Sequence, residues 1–390
     1  MYSCHHRRIH LFHYILNREL SELYLSNIIR AFAISLIGLF IPLYFLKLGY
    51  DISFVLLFYF GIYLLYSLFL PFFGILVKKI GVKHSMLISL PFLLLTYISL
   101  YYFEKNFNLI YLAILSNVIC IGLYWVAFHL DFSKYSKDRY RGRELGFLNI
   151  ANTGVMAAAP FLGGIILNYL NYRTLFLIVI FLLICSSYPL FLSREIYEKR
   201  EFTLKGFFTH SFEKTKIPEF LAFSGEGVGS VIEGLLWPVF IFQLVKNYAI
   251  LGGITSLAIF LTIAFTYFWG ILTDKEANNR LIKTGVLTNF FSWPLKMTII
   301  SPFTAFLVDL YSKLTNSAIA LPFNALVYKK AKKAPHMLGY VVFKEFAFNF
   351  PRALVFFLLY FIFTKSVILG FISAFSIAAI FSLFILFLKD

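Results

Sequence analysis

Three charged residues stand in stretches that are otherwise almost wholly apolar. Arg30 lies in the first of these stretches, and Glu226 and Glu233 lie in the seventh, seven residues apart and therefore on nearly one helical face. An ionised side chain in the middle of a bilayer costs at least ~2.5 kcal/mol on insertion scales, so each residue needs a reason to be there. A buried carboxylate without a counter-charge tends to bind a proton, which makes both glutamates candidate proton-binding residues.

The stretches that carry these charges are long enough to cross a membrane. Charged residues make up 14% of the 390-residue chain, whereas an average soluble domain has roughly 25%. Because a spanning helix needs about 20 mostly apolar residues, and because the runs are too long and uniform for barrel strands, the pattern predicts membrane helices. Twelve spans are predicted, at residues 21–46, 52–77, 84–103, 109–132, 145–169, 173–193, 218–245, 249–273, 281–301, 303–329, 337–363 and 365–388.

The net charge of +16 follows the membrane topology. With the N-terminus inside, the inner segments hold 25 Lys and Arg residues and the outer loops hold five. Cytoplasmic loops are enriched in Lys and Arg, so the sequence predicts that both termini are cytoplasmic in the cell membrane, with the lipid bilayer rather than nucleic acid as partner. The three cysteines show neither disulfide nor metal spacing, and we expect no metal and no cofactor.

The chain repeats itself at an offset of 196 residues. GLFIP from Gly38 in span one is echoed by GLLWP from Gly234 in span seven, and GIL recurs at Gly74 and Gly270, after spans two and eight. Two matches in one register predict a duplicated six-helix unit. The predicted organisation is an N-terminal segment at 1–20, a bundle at 21–193, a cytoplasmic central loop at 194–217 and a second bundle at 218–390. The same offset makes Arg30 and Glu226 equivalent.

This arrangement resembles the major facilitator superfamily of secondary transporters. That family carries a signature after span two: glycine, three residues, aspartate, a basic residue, one residue, then glycine. Lys78 stands here in the aspartate position. A glycine-rich pattern on span five is similar to one in drug/proton antiporters, although Asn117 and Val118 stand where those antiporters have an arginine on span four. The matching residues are Gly74, Lys79 and Gly81, then Gly270, Asp274 and Lys275, and on span five Pro160, Gly163 and Gly164.

The resemblance implies an all-α membrane protein with twelve transmembrane helices in two pseudo-symmetric six-helix bundles. It implies a monomeric secondary transporter that moves a small organic solute by alternating access, coupled to protons, for drug or metabolite efflux. Uptake or facilitated transport of a sugar or other nutrient is the alternative. A non-transporting receptor and a membrane-embedded enzyme stay open as a different class, although only His129 and Asp131 suggest a catalytic pair, and no Walker-type loop is present.

In the family, spans one, four, seven and ten line the central cavity, and spans one and seven face each other. The resemblance therefore implies that Arg30 and Glu226 pair across this cavity as a gate or proton-linked ion pair, or else serve as structural charges with separate partners. Aromatic and amide side chains with a few charges suit an amphipathic solute. The predicted pathway residues are Asn27, Arg30, Asn117, Tyr124, Trp125, Glu226, Glu233, Trp237, Asn316 and Asn324.

The two copies of the repeated signature differ in their ability to form a latch. In the family its aspartate faces a helix N-terminus and arginines of the other bundle, where a carboxylate is stabilised. Asp274 fits that role toward span five, near Arg141 and Arg143, whereas Lys78 would meet like charges at span eleven. We expect one latch, in the second half; a solvated loop charge is the alternative. The small residues on span five allow close helix approach, in a rocking interface or in static packing.

The remaining intramembrane charges receive structural interpretations. Asp309 and Lys313 are four residues apart on span ten and are expected to neutralise each other. Adjacent Lys344 and Glu345 on span eleven are expected to point in different directions. Lys296 on span nine is expected to extend toward the membrane surface.

Overall fold

The computed structural model describes residues 18–135, 141–188, 213–275 and 278–389. Side chains are described for 25–130, 153–188, 213–266, 268–269 and 280–389. Every regular element in these ranges is helical, which confirms the predicted fold class. Among the described residues, eight helices are long and apolar enough to cross a membrane, and two shorter apolar helices cover Thr153–Tyr169 and Tyr172–Ser187.

The helices follow the twelve predicted spans. Span one comprises Arg18–Gly38 and Ile41–Lys47, and spans two to six are Ile52–Ile80, Val82–Tyr102, Leu109–Tyr135, Arg141–Tyr169 and Tyr172–Ser187. Span seven comprises Ile217–Val231, a π-helical turn at Ile232–Leu236 and Trp237–Val245. Spans eight to twelve are Tyr248–Lys275, Asn278–Phe290 with Ser292–Lys296, Pro302–Lys333, Met337–Lys365 and Val367–Phe384.

The packing of the spans repeats between the two halves. Span one packs on spans five and six, and span seven packs on spans eleven and twelve in the same way. Span four packs on spans two and three, just as span ten packs on spans eight and nine. The two bundles then meet chiefly through two equivalent contacts, span two against span eleven and span five against span eight, with smaller contacts made by spans four and ten. The duplication seen in the sequence is therefore also a duplication of the tertiary structure.

The repeated GLFIP and GLLWP segments coincide with irregular helix in both halves. The first helix of span one ends at Gly38, and span seven changes to a π-helical turn that contains Glu233 and Gly234. Pro42 and Pro238 lie in the first turn of the following helix, where the missing N–H of proline costs nothing. Single π-helical turns frequently mark functional sites. The repeat therefore specifies a local break in two equivalent spans.

The second glycine of the signature has a conformational reason. Gly81 is the only residue between the helices of spans two and three, and its φ is +100°. A residue with a side chain is strained in this conformation, so glycine permits the one-residue turn. Ala277, which replaces this glycine in the second half, lies outside the described residues.

Candidate functional site

Spans one and four bring three of the predicted pathway residues together. The guanidinium carbon of Arg30 lies 3.4 Å from the ring centroid of Tyr124. The Tyr124 hydroxyl donates a hydrogen bond to Asn27 Oδ1 at 2.5 Å, and Arg30 Nη2 donates to the sulfur of Cys120 at 3.8 Å. Arg30 is 6% exposed, and its Nε is buried without a hydrogen-bond partner. We call Asn27, Arg30 and Tyr124 the arginine site.

Glu226 does not contact Arg30 in this structure. No hydrogen bond or ion pair joins its side chain to any other described side chain, and the charges that act on it are those of Arg352 and Lys344 on span eleven. Arg352 itself donates to Gly227 O at 2.8 Å, Ser230 Oγ at 2.7 Å and Asn349 Oδ1 at 3.0 Å. The expected ion pair between Arg30 and Glu226 is therefore not made in this conformation.

Glu233 has a buried partner that the sequence interpretation missed. Its Oε2 lies 2.7 Å from Lys296 Nζ, and Ser312 Oγ lies within hydrogen-bond distance of both groups, at 3.1 Å and 3.0 Å. The expectation that Lys296 extends toward the membrane surface is wrong, because its side chain is 0% exposed. The helix of span nine stops at Phe290 and resumes as the short helix Ser292–Lys296, a break that apolar composition does not predict.

A second ion pair lies beside the first. Lys313 and Asp309 form the expected pair on span ten, and Trp237 Nε1 donates to Asp309 Oδ1 at 3.0 Å. The ammonium of Lys296 lies 4.4 Å from the Trp237 ring centroid. Trp237, expected to line the cavity, is 1% exposed and lies inside this group. Two cations and two anions therefore balance in the core of the second bundle.

A polar cluster crosses the interface between the two bundles; it consists of Tyr66, His129, Tyr328, Lys344 and Glu345. Glu345 Oε1 lies 3.2 Å from His129 Nε2 and 2.7 Å from Lys344 Nζ. Tyr66 donates to Glu345 Oε2 at 2.8 Å, and His129 Nδ1 lies 2.8 Å from the Tyr328 hydroxyl. The expectation that Lys344 and Glu345 point apart is wrong. Both long side chains reach His129, because a buried charge is unfavourable without a partner. We call this group the interbundle cluster.

A small cavity adjoins the interbundle cluster, with room for about one water molecule. Asn324 of span ten lies in its wall together with His129 and Lys344. Trp125 stacks on His129 with ring centroids 5.5 Å apart. Asn117 and Asn316 are half-buried on spans four and ten. Of the predicted pathway residues, Asn27, Arg30 and Tyr124 therefore lie together in the first bundle, Glu233 and Trp237 share Lys296 in the second, and Trp125 and Asn324 lie beside the interbundle cluster.

The two adjacent glycines of span five have different neighbours. A methyl group at Gly163 would overlap the backbone oxygen of Leu36 on span one, in the same bundle. A methyl group at Gly164 would overlap the backbone oxygen of Tyr248 on span eight, and one at Gly252 would overlap that of Pro160. Gly163 therefore permits packing within a bundle, whereas Gly164 and Gly252 permit close approach between bundles.

The latch residues are only partly described. Gly74 is buried within span two, and Lys79 is exposed near its end. Gly270, Asp274 and Lys275 lie in the last turns of span eight, and Arg141 and Arg143 lie in the first turn of span five, which begins earlier than expected. The side chains of these last five residues are outside the described residues. The single latch stays a prediction.

Comparison with known protein families identifies the family of this chain. The family model of the Major Facilitator Superfamily matches residues 23–343. The chain belongs to the major facilitator superfamily. Members of this superfamily are transporters, so the chain is a multi-pass membrane transporter for small molecules rather than an enzyme.

The chain is also similar to an efflux pump in sequence and to a transporter in structure. The chain is 27% identical to the multi-drug resistance efflux pump PmrA of Streptococcus pneumoniae, in two strains, over 347 residues that cover 83% of this chain and 82% of the pump. The crystal structure of the human organic anion transporter MFSD10 (TETRAN) superposes with a TM-score of 0.66 at 13% identity, covering 95% of this chain and 99% of that one. At this identity the superposition shows the fold alone.

Several residues of the site were visible in the sequence without their partners. Lys344, Glu345 and Lys296 stood out as charges within apolar spans, which was a usable signal. Tyr66 and Tyr328 gave none, because 25 tyrosines are spread along the chain. Partners on distant spans follow from helix rotation and packing, which hydropathy does not encode.

Proposed function

We propose that this facilitator is a secondary active transporter that exports a small organic solute by alternating access, driven by protons. The relative named as a multi-drug efflux pump supports export of organic solutes. The excess of Lys and Arg in alternate loops supports an orientation with both termini cytoplasmic in the cell membrane. Bundles at 21–193 and 218–390, joined by the central loop 194–217, would move against each other in a single chain.

The observation that supports proton coupling is that Glu226 lacks a partner among the described side chains. It is a carboxylate within a span, on the helix that the family places beside the cavity, and it makes no hydrogen bond or ion pair with described side chains. Glu233, by contrast, is held by Lys296 and Ser312. A carboxylate that is not committed to a partner can take up and release a proton as access alternates. Glu226 is therefore the proposed coupling residue, and Glu233 has a structural role.

The experiment is flux in proteoliposomes with an imposed pH gradient, using carboxyfluorescein and ethidium as anionic and cationic fluorescent solutes. We expect the gradient to accelerate flux through the native protein. Glu226→Gln should remove this acceleration while equilibrium exchange of solute continues, and Glu226→Asp should retain part of it. Glu104→Gln is the matched control, because Glu104 pairs with Arg173 at the exposed surface.

Three results would count against the proposal. Gradient-driven flux that is unchanged in Glu226→Gln would assign coupling to another residue. Flux that never responds to the gradient in the native protein would favour facilitated transport, and accumulation in the direction opposite to export would favour uptake.

A further inference from the structure

A cation within the first bundle has no counter-charge among the described side chains. Arg30 is 6% exposed, and no carboxylate contacts its guanidinium among the side chains that the structure describes. The ionisable groups on which its charge acts are Tyr97, Cys120 and Tyr124, which are ordinarily uncharged at neutral pH. A buried charge without a partner is strongly unfavourable, so Arg30 needs a negative charge that is not among the described side chains.

Arg352, a half-buried arginine on span eleven, shows how the fold satisfies an arginine with a structural role. Arg352 uses Nε, Nη1 and Nη2 to donate to three oxygen acceptors at 2.8, 3.0 and 2.7 Å. The charges of Glu345 and Glu226 also act on it. Arg30 has only the sulfur of Cys120 at 3.8 Å, and its Nε is left unpaired. The contrast indicates that the donors of Arg30 are kept for a ligand.

Asn27 adds a second donor on the same helical face, three residues before Arg30. Its Oδ1 accepts from the Tyr124 hydroxyl, and its amide nitrogen makes no hydrogen bond with described residues. The Tyr124 ring lies 3.4 Å from the guanidinium and fixes its plane. A planar guanidinium with a neighbouring amide N–H matches the two oxygens of a carboxylate.

We propose that Arg30 and Asn27 bind the anionic group of the transported solute, so that this transporter takes organic anions that carry a carboxylate. The inference rests on the proposed transport function and names its substrate class. Tyr124 is 5% exposed, whereas Trp125 is 40% exposed. Trp125 packs edge to face against Tyr124 with ring centroids 5.4 Å apart and offers aromatic surface beside the arginine site. A carboxylate on a planar aromatic body fits this surface best.

The test measures thermal unfolding of the purified full chain in detergent with 1-naphthoate, and with 1-naphthamide and 1-naphthylmethylammonium as neutral and cationic analogues. We expect only the anion to raise the unfolding midpoint. Arg30→Gln should weaken naphthoate binding about 10- to 100-fold, the equivalent of a charge-assisted hydrogen bond. Arg30→Lys should retain part of the affinity, because the charge stays and the planar fork is lost. Asn27→Ala should weaken binding up to about tenfold, and exposed Arg173→Gln should bind like the native protein.

Three outcomes would overturn the proposal. They are equal stabilisation of the native protein by all three analogues, absence of naphthoate binding to the folded native protein, and full affinity in Arg30→Gln. If Arg30→Gln does not fold, full naphthoate affinity in both Arg30→Lys and Asn27→Ala would overturn the proposal instead.

The result is separable from the transport proposal. Gradient-driven flux of ethidium without naphthoate binding would reject the anion class and leave proton-coupled transport standing. Naphthoate binding that depends on Arg30, without flux of any solute, would support the site and count against transport.

Discussion

The carboxylate oxygen Oε1 of Glu345 lies 3.2 Å from Nε2 of His129, although span eleven belongs to the second bundle and span four to the first. Tyr66 of span two donates to the other oxygen of the same carboxylate. In the family a signature aspartate after span two ties the bundles, and Lys78 replaces it here. Glu345, which is 4% exposed, supplies a buried carboxylate that joins span two to span eleven.

Replacing Glu345 by Gln should therefore loosen the contact between the bundles. Each charge-assisted hydrogen bond that is lost contributes about 1.5–3 kcal/mol. The conformational equilibrium should therefore move about 10- to 100-fold toward states in which the bundle ends that carry Lys79 and Lys283 are apart. Spin labels at Lys79 and Lys283, which are exposed on spans two and nine, report the change as a longer distance. Leu354→Ala, on an exposed part of span eleven, is the control. An unchanged distance distribution in Glu345→Gln would show that this cluster does not hold the bundles together.

Lys296→Met should destabilise the second bundle by about 3–5 kcal/mol, because it leaves the Glu233 carboxylate buried without its cation. The double variant Lys296→Met with Glu233→Gln should recover much of that loss, since no unpaired charge remains. Denaturant titration in detergent measures both, with exposed Lys105→Met as the control. Equal losses in the single and double variants would mean that the two side chains are not energetically coupled.

Gly252→Ala should disturb the contact between spans five and eight, whereas neighbouring Gly253→Ala should be tolerated. A methyl group at Gly252 overlaps the Pro160 carbonyl oxygen, and one at Gly253 meets only the Phe161 side chain at 3.8 Å. Overpacking of this kind costs about 1–3 kcal/mol. The thermal unfolding midpoint and the rate of solute flux should both fall in Gly252→Ala and stay unchanged in Gly253→Ala. Similar behaviour of the two variants would mean that spans five and eight are not closely packed in the working protein.

Asp274→Asn tests the single latch. A carboxylate near a helix N-terminus is worth about 0.3–1 kcal/mol, so its loss should raise the inward-open population about two- to fivefold. Reactivity of cysteines introduced at the inner ends of the spans measures this population. Asp51→Asn, at the start of span two on the opposite membrane side, should leave it unchanged. The same reactivity in both variants would make Asp274 a solvated surface charge.

Charge spacing within one helix was predictable from sequence, and charge pairing between helices was not. Asp309 and Lys313 were paired correctly because a separation of four residues fixes their relation on any α-helix. Lys296 was placed wrongly because its side chain points into the bundle, toward Glu233 and Ser312 on two other spans. Lys344 and Glu345 were placed wrongly because their side chains bend toward His129, which is 215 residues from Lys344 along the chain.

The sequence by itself determined the twelve membrane helices, the duplication at 196 residues and the family, because hydropathy and repeated segments are properties of the local chain. It also marked Arg30, Glu226 and Glu233 as residues that need a reason to lie in lipid. Only the tertiary structure decided which of these charges has a partner: Glu233 is neutralised by Lys296, while Arg30 and Glu226 are not paired with each other. A buried charge is stabilised by whichever opposite charge helix packing brings within a few ångströms, and that distance exists only in the folded bundle.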